Sequence, residues 1–236
     1  MSVPFFAQEN LLKEGQNFYK KGNYEEAALH YDSLLKQGYY SPALYYNAAN
    51  AYYKKGDLGL SRLYYEKALK WSPHDKDIIH NIALIDKKID SEIAHLPDFF
   101  LLRWWKQFSG IFSLDVWLFF TFLFAIGIIA GVVLLWFVKN DKYHRWGGIL
   151  IIVSVFLFFL ALMAALTVNN RIYHNKNAVV VRDQAVFSTP ATKSEKLYDL
   201  KAGEKVKLID SLTTWYKVQL LNKETGWMPK ETLKKI

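Results

Sequence analysis

The chain of 236 residues contains no cysteine. Disulfides, thiolate metal sites and cysteine nucleophiles are therefore excluded, and nothing about its compartment can be read from redox chemistry. Its six histidines, His30, His74, His80, His95, His144 and His174, are scattered without HxxxH, HxxE or HExxH spacing. Neither a phosphate-cradling glycine loop nor a nucleophile elbow is present. No catalytic residue, metal or cofactor is expected, and the chain is expected not to be an enzyme. Charge is missing locally as well: residues 116–138 and 147–168 contain no Asp, Glu, Lys, Arg or His. An interior without ionisable groups argues against proton or ion transport through these segments alone.

Those two apolar runs organise everything else. At a rise of ~1.5 Å per residue each helix would extend about 33 Å, enough for the roughly 30 Å bilayer core. The link, residues 139–146, is too short to return through a membrane, so the runs predict a transmembrane helical hairpin with both flanks on one side. Trp117, Trp136 and Trp146 stand near the expected interfaces. Gly127 and Gly131 form a GxxxG. Counted from the link, Gly131 should lie level with Ser154 and Gly127 with Phe158; close helix packing and chance spacing both account for the motif. Lys139, Lys142 and Arg145 make the link basic and favour the cytoplasm for it. The two flanks are then periplasmic, in a bacterial inner membrane.

About 115 residues precede the hairpin and 68 follow it, room for one small domain each and for no large catalytic core. Residues 176–236 carry 12 basic and 7 acidic side chains, a net charge of +5. An anionic lipid face or acidic partner would suit that excess, as would an ordinary solvated surface, and nucleic acid is not expected. The start, Val3-Pro-Phe-Phe-Ala7 before Gln8-Glu-Asn10, resembles the end of a secretory signal without its charged and apolar parts. Residues 1–7 are read as a signal-peptide remnant. Either translation begins at Met1 or the start lies inside a longer precursor.

Residues 8–41 superimpose on 42–75 without gaps. Phe18-Tyr19 falls on Tyr52-Tyr53, Lys21-Gly22-Asn23 on Lys55-Gly56-Asp57, and Tyr31 on Tyr65. Small residues at the eighth and twentieth places allow close antiparallel packing, the Gly-Asn and Gly-Asp pairs turn the chain, and Pro73 ends a helix. This 34-residue unit resembles the tetratricopeptide repeat (TPR). A third copy from Lys76 keeps Ile79, Ile82 and Ala83, continues as Ile85, Ile89 and Ile93, and is read as a capping helix, so repeats occupy 8–96. The resemblance implies a partner-binding concave groove lined by Leu12, Gln16, Tyr19, Tyr46, Asn50, Tyr53, Lys54, Leu84 and Lys87. Each tyrosine serves either as groove surface or as cover for the repeat core. Leu12 and Asp77 stand where chaperone-tail binders carry Lys, which disfavours that ligand.

Residues 97–115 are dominated by aromatic side chains, and a helix there would lie in the interface with Trp104 and Trp105 at headgroup level, or pack under the repeats. After a linker, the segment within 169–236 alternates in about five short β-rich runs and predicts a small barrel. Leu200-Lys-Ala-Gly-Glu-Lys-Val-Lys-Leu-Ile209, Trp215-Tyr-Lys-Val218 and Thr225-Gly-Trp-Met-Pro229 resemble a bacterial SH3-like domain. Its usual entry loop is only partly kept in Ala185-Val-Phe-Ser-Thr-Pro190. The resemblance implies an extended-peptide site at Trp215 and Pro229. Trp215 fits either that site or the core, and Trp227 is expected in the core.

The fold class is thus a multidomain membrane protein: an all-α TPR solenoid, a two-helix transmembrane hairpin and an all-β SH3-like barrel. That order, with the Trp104–Asp115 segment, resembles the E-type family of the Bacteroidetes aerotolerance (Bat) operon. The resemblance implies a membrane scaffold working with proteins that carry von Willebrand A domains and with an AAA-type ATPase, in envelope or oxidative-stress tolerance. The alternative is a cell-envelope protein whose barrel holds peptidoglycan peptides while the repeats recruit wall enzymes.

Overall fold

The structure, a computed structural model, describes residues 5–89, 91, 93, 99–137 and 141–236, without the side chains of 5–11, 141 and 142. Residues 1–4 of the signal-like start therefore lie outside the described residues. Two compact units emerge, one from Met1–Pro97 together with Lys176–Ile236, the other from Asp98–Asn175.

The first unit opens with five helices: α1 Phe5–Lys20, α2 Tyr24–Lys36, α3 Pro42–Lys55, α4 Leu58–Trp71 and α5 Lys76–Lys88. Their ends follow local chemistry. Ser41 and Asp57 cap α3 and α4 by accepting from the Leu44 and Leu60 amides at 3.0 and 2.9 Å, and Pro42 occupies the first turn. Gly56, at φ 91°, closes α3 in the left-handed conformation the Gly-Asp turn requires. Fully buried alanines (Ala27, Ala48, Ala49, Ala68) let the helices approach, and Tyr31 and Tyr65 fill the space between them. Burial pushes the Tyr31 phenol up to about 12.

The same unit ends in seven strands: β1 Asn177–Val180, β2 Gln184–Phe187, β3 Lys196–Leu200, β4 Lys205–Leu212, β5 Trp215–Gln219, β6 Thr225–Pro229 and β7 Leu233–Lys235. They form one antiparallel sheet in the order β3-β2-β6-β5-β4-β1-β7. The expected five-strand barrel is corrected here. The sheet is open, with β3 and β7 as its edges, and its inner face packs Val180, Val186, Leu200, Val218 and Met228.

Helices and sheet are not separate bodies, as two flanks of independent size had implied. Gly59 of α4 lies so close to the residue that follows β1 that a Cβ there would stand 2.8 Å from the Val181 Cα and carbonyl oxygen. Leu63 of α4 is buried with Val179 and Ile236. The capping helix stops at Lys88, and Ile93 beyond it is buried in the core of the sheet, not along a continued helix. Ile89 presses on Gly203, whose φ of +100° makes the turn before β4.

The second unit holds α6 Phe100–Ser109, α7 Leu114–Phe137 and α8 Asp141–Tyr173. The link expected over 139–146 is shorter, because α8 is already helical at Asp141, and α8 continues past residue 168 to Tyr173. Both α7 and α8 contain stretches long and apolar enough to cross a membrane. Their large apolar side chains face outward, Phe122 at 66 % and Ile152 at 72 % exposure, whereas a soluble core helix would bury them. The glycines do bring the helices together, in a register nearer the link than expected. A Cβ on Gly127 would meet Ser154 Oγ at 2.5 Å, and one on Gly131 would meet Ile151 Cγ1 at 2.5 Å and the Gly147 carbonyl at 3.0 Å.

Candidate interaction surfaces

The residues expected in the groove come from the first helix of each helical pair and from the capping helix. Leu12, Gln16 and Tyr19 follow one stripe of α1; Tyr46, Asn50, Tyr53 and Lys54 follow α3; Leu84 and Lys87 follow α5. Spacings built from three and four residues place each set on one helix face. Lys54 and Lys87 are exposed and the other seven are half-buried. Leu12, Tyr19, Tyr46 and Tyr53 each pack on the repeat core and stay half-buried, so all four serve as cover for that core.

A polar thread joins α3 to α5. Asn81 Nδ2 donates to Asn50 Oδ1 at 3.3 Å and to the Tyr46 hydroxyl at 3.4 Å, and the Tyr65 hydroxyl also donates to Asn50 Oδ1. The Asn50 carbonyl is therefore committed to holding the helices in register. Tyr46 meets Tyr65 edge-on at 5.9 Å, and Lys88 Nζ lies 4.2 Å from the Tyr53 ring centroid. Burial, then Tyr24 and Tyr46, raises the Tyr19 phenol above its ordinary value, and burial chiefly raises Tyr65. These phenols stay protonated donors at neutral pH. Asn81 and Lys88 escaped sequence reasoning; Asn81 lies one turn before Ile85 on the face that carries Leu84, a spacing that was available.

Elsewhere in the repeats, Asp32 accepts from the hydroxyls of Tyr52 at 2.6 Å and Tyr64 at 2.5 Å. Burial first, and the Asp32 carboxylate second, raise both phenols. This cluster locks α2 against α3 and α4.

The sheet presents its own surface. Trp215 and Pro229 face each other directly across β5 and β6, so the two expected contacts come together. Trp227 pairs with Phe187 across β6 and β2 and with Lys217 across β5. Side chains directly opposite share a face and alternate along a strand, which puts Trp227, Phe187 and Lys217 on the Trp215 face. Met228, 0 % exposed, takes the core position instead. The expected core role of Trp227 is corrected: it is half-buried on the outer face. Phe187 meets Trp215 edge-on at 5.8 Å. The result is an apolar strip of Phe187, Trp215, Trp227 and Pro229.

The tryptophans expected at a membrane interface divide into two groups. Trp104, Trp136 and Trp146 are exposed, Trp136 at 83 %. Trp105 and Trp117 spend their indole N–H groups inside the second unit, on Thr167 Oγ1 at 3.0 Å and on the Ser109 carbonyl at 2.9 Å. Trp117 is 5 % exposed and packs with Ala161, Ala164, Ala165 and Val168. It is a packing residue that joins α6, α7 and α8.

No curated protein matches the chain. Two family models match parts of it: Bacterial SH3 domain over residues 180–234 and Tetratricopeptide repeat over residues 12–76.

Proposed function

We propose that the chain is a non-enzymatic, membrane-anchored interaction scaffold, in which the repeat groove and the SH3-like face together assemble an envelope complex related to aerotolerance or stress resistance. The observation that carries this reading is the union of the two modules in one compact unit, interrupted in sequence by the hairpin. Contact between residues before and after the apolar runs requires both flanks on the same side of a membrane, as an even number of crossings does. The basic link favours a cytoplasmic turn, hence periplasmic modules at an inner membrane. Partners consistent with the resemblance are membrane proteins with von Willebrand A domains and an AAA-type ATPase system.

The test is capture of a von Willebrand A-domain membrane protein by the solubilised full chain. Lys54→Glu with Lys87→Glu reverses charge at the two exposed groove positions and leaves the core alone. Loss of capture with unchanged melting supports the groove; undiminished capture overturns its role.

A second reading is a peptidoglycan-binding envelope protein, favoured by the strip of Phe187, Trp215, Trp227 and Pro229 on a bacterial SH3-like sheet. Binding of the full chain to purified sacculi, lost in Trp215→Ala, would select it over the first.

A further inference from the structure

The outer face of α8 carries an apolar groove of about 580 Å³ that begins beside Trp105 and includes Ile152, Phe156, Phe159, Leu160 and Met163. Trp105 forms its wall from α6, fixed by the bond from its indole to Thr167 Oγ1, which in turn donates to the Met163 carbonyl at 2.8 Å. From Ile152 to Met163 the helix rises about 16 Å, close to the ~15 Å thickness of one leaflet of the hydrocarbon core. Beyond the groove, Thr167 and Arg171 follow Met163 at i+4 and i+8, which carries Arg171 about 80° round the helix from Met163.

Arg171 sits in the last turn of α8, where the apolar stretch ends. Its Nε is buried and has no hydrogen-bond partner among the described residues. The two outer nitrogens of this half-buried guanidinium are not enclosed with Nε; a charge at the edge of a hydrocarbon region is costly unless an anion meets it there, and a planar guanidinium suits phosphate. A partner helix is the weaker occupant. Helix pairs in membranes approach through small residues, and the small side chains here, Gly127, Gly131, Ala161, Ala164 and Ala165, are already used inside the unit. The groove wall is instead large and contoured, with Phe156 and Phe159 standing 67 % and 59 % exposed.

We propose that this groove is a site for one anionic phospholipid, its acyl chain lying along Met163, Phe159, Phe156 and Ile152 beside Trp105 and its phosphate meeting Arg171. The proposal rests on α7 and α8 spanning a membrane.

The experiment is native mass spectrometry of the full chain released from detergent micelles, titrated with phosphatidylglycerol or phosphatidylcholine of identical chains. One phosphatidylglycerol is expected to stay bound, about tenfold more tightly than phosphatidylcholine. Arg171→Gln should abolish the preference and Arg171→Lys should restore much of it. Met163→Trp, which fills the groove from an exposed position, should weaken retention of both lipids. Millimolar inorganic phosphate should not displace the lipid, because the chain supplies part of the affinity. Equal retention of both lipids by the parent, or a preference that survives Arg171→Gln, overturns the headgroup site. Retention unchanged by Met163→Trp overturns the acyl groove. Failure of the spanning reading shows separately, as release of the protein from membranes by alkaline carbonate.

Discussion

Glu66 of α4 and Lys205 of β4, 139 residues apart in sequence, meet at 2.7 Å between Nζ and Oε2. The other oxygen of Glu66 accepts from Arg62 Nε at 3.0 Å, and Arg62 also pairs with Asp86 of α5. The Glu66 side chain is 7 % exposed, so this carboxylate is the buried centre of a network joining the capping helix, the last repeat helix and the sheet. Burial alone would raise its pKa, but Lys205 and then Arg62 outweigh burial and hold it below the usual carboxylate value. Burial opposes charge on Arg62 as well, and Glu66 and Asp86 more than compensate.

A depressed carboxyl pKa sets the direction of the pH dependence. Its contribution to stability is present above the unfolded value, near 4.5, and is lost as pH falls through the folded value. Thermal melts of the parent should therefore weaken on acidification below about pH 4.5, and Glu66→Gln should flatten that part of the profile. At neutral pH Glu66→Ala leaves Arg62 and Lys205 short of a counter-ion and should cost about 3 kcal/mol or more. Lys205→Ala, which leaves the Arg62–Glu66 pair in place, should cost less. Equal costs would mean that Lys205 carries the network.

Gly59→Ala tests the docking of helices on sheet without touching charge. The added Cβ collides with Val181 backbone, which cannot swing aside as a flexible side chain can. A loss of about 1–3 kcal/mol is expected, with faster proteolytic cleavage between the helical and sheet modules. Gly148→Ala, where a Cβ meets nothing within 4 Å, is the matched control and should melt like the parent.

Binding of extended wall or Pro-rich peptides to the strip around Trp215 should change little between 0.1 M and 1 M salt. Binding driven by the lysine excess should collapse as the Debye length falls from ~10 Å to ~3 Å. Titration of the full chain at both salt levels separates the two, and Trp215→Ala or Trp227→Ala should weaken a peptide about tenfold or more. An unchanged affinity in both variants assigns the strip a structural role.

Alkaline phosphatase fused after Ile236 should be active, and the same enzyme inserted at the link between α7 and α8 should be inactive. The opposite pattern reverses the orientation. Activity at both positions removes the two-crossing topology.

Much of the architecture was legible because it is written in local periodicity. The 34-residue repeat, the caps at Ser41 and Asp57 and the turn at Gly56 depend on neighbours within a few residues, and each helical pair formed where the repeat placed it. The two uncharged runs are equally local, since length and hydropathy alone define them. Strand alternation located β1, β4, β5 and β6 but neither β2, β3 and β7 nor the phase: a shift of one residue exchanges the faces, and only the register with β5 puts Met228 inside and Trp227 outside. Sheet closure, the burial of Trp117 and the docking of helices on strands belong to tertiary structure. Gly59 reads as an ordinary small helical residue until Val181 lies against it, and Glu66 and Lys205 read as two solvated charges until burial joins them. Such pairings arise from long-range packing, which leaves no periodic trace in either partner's own segment.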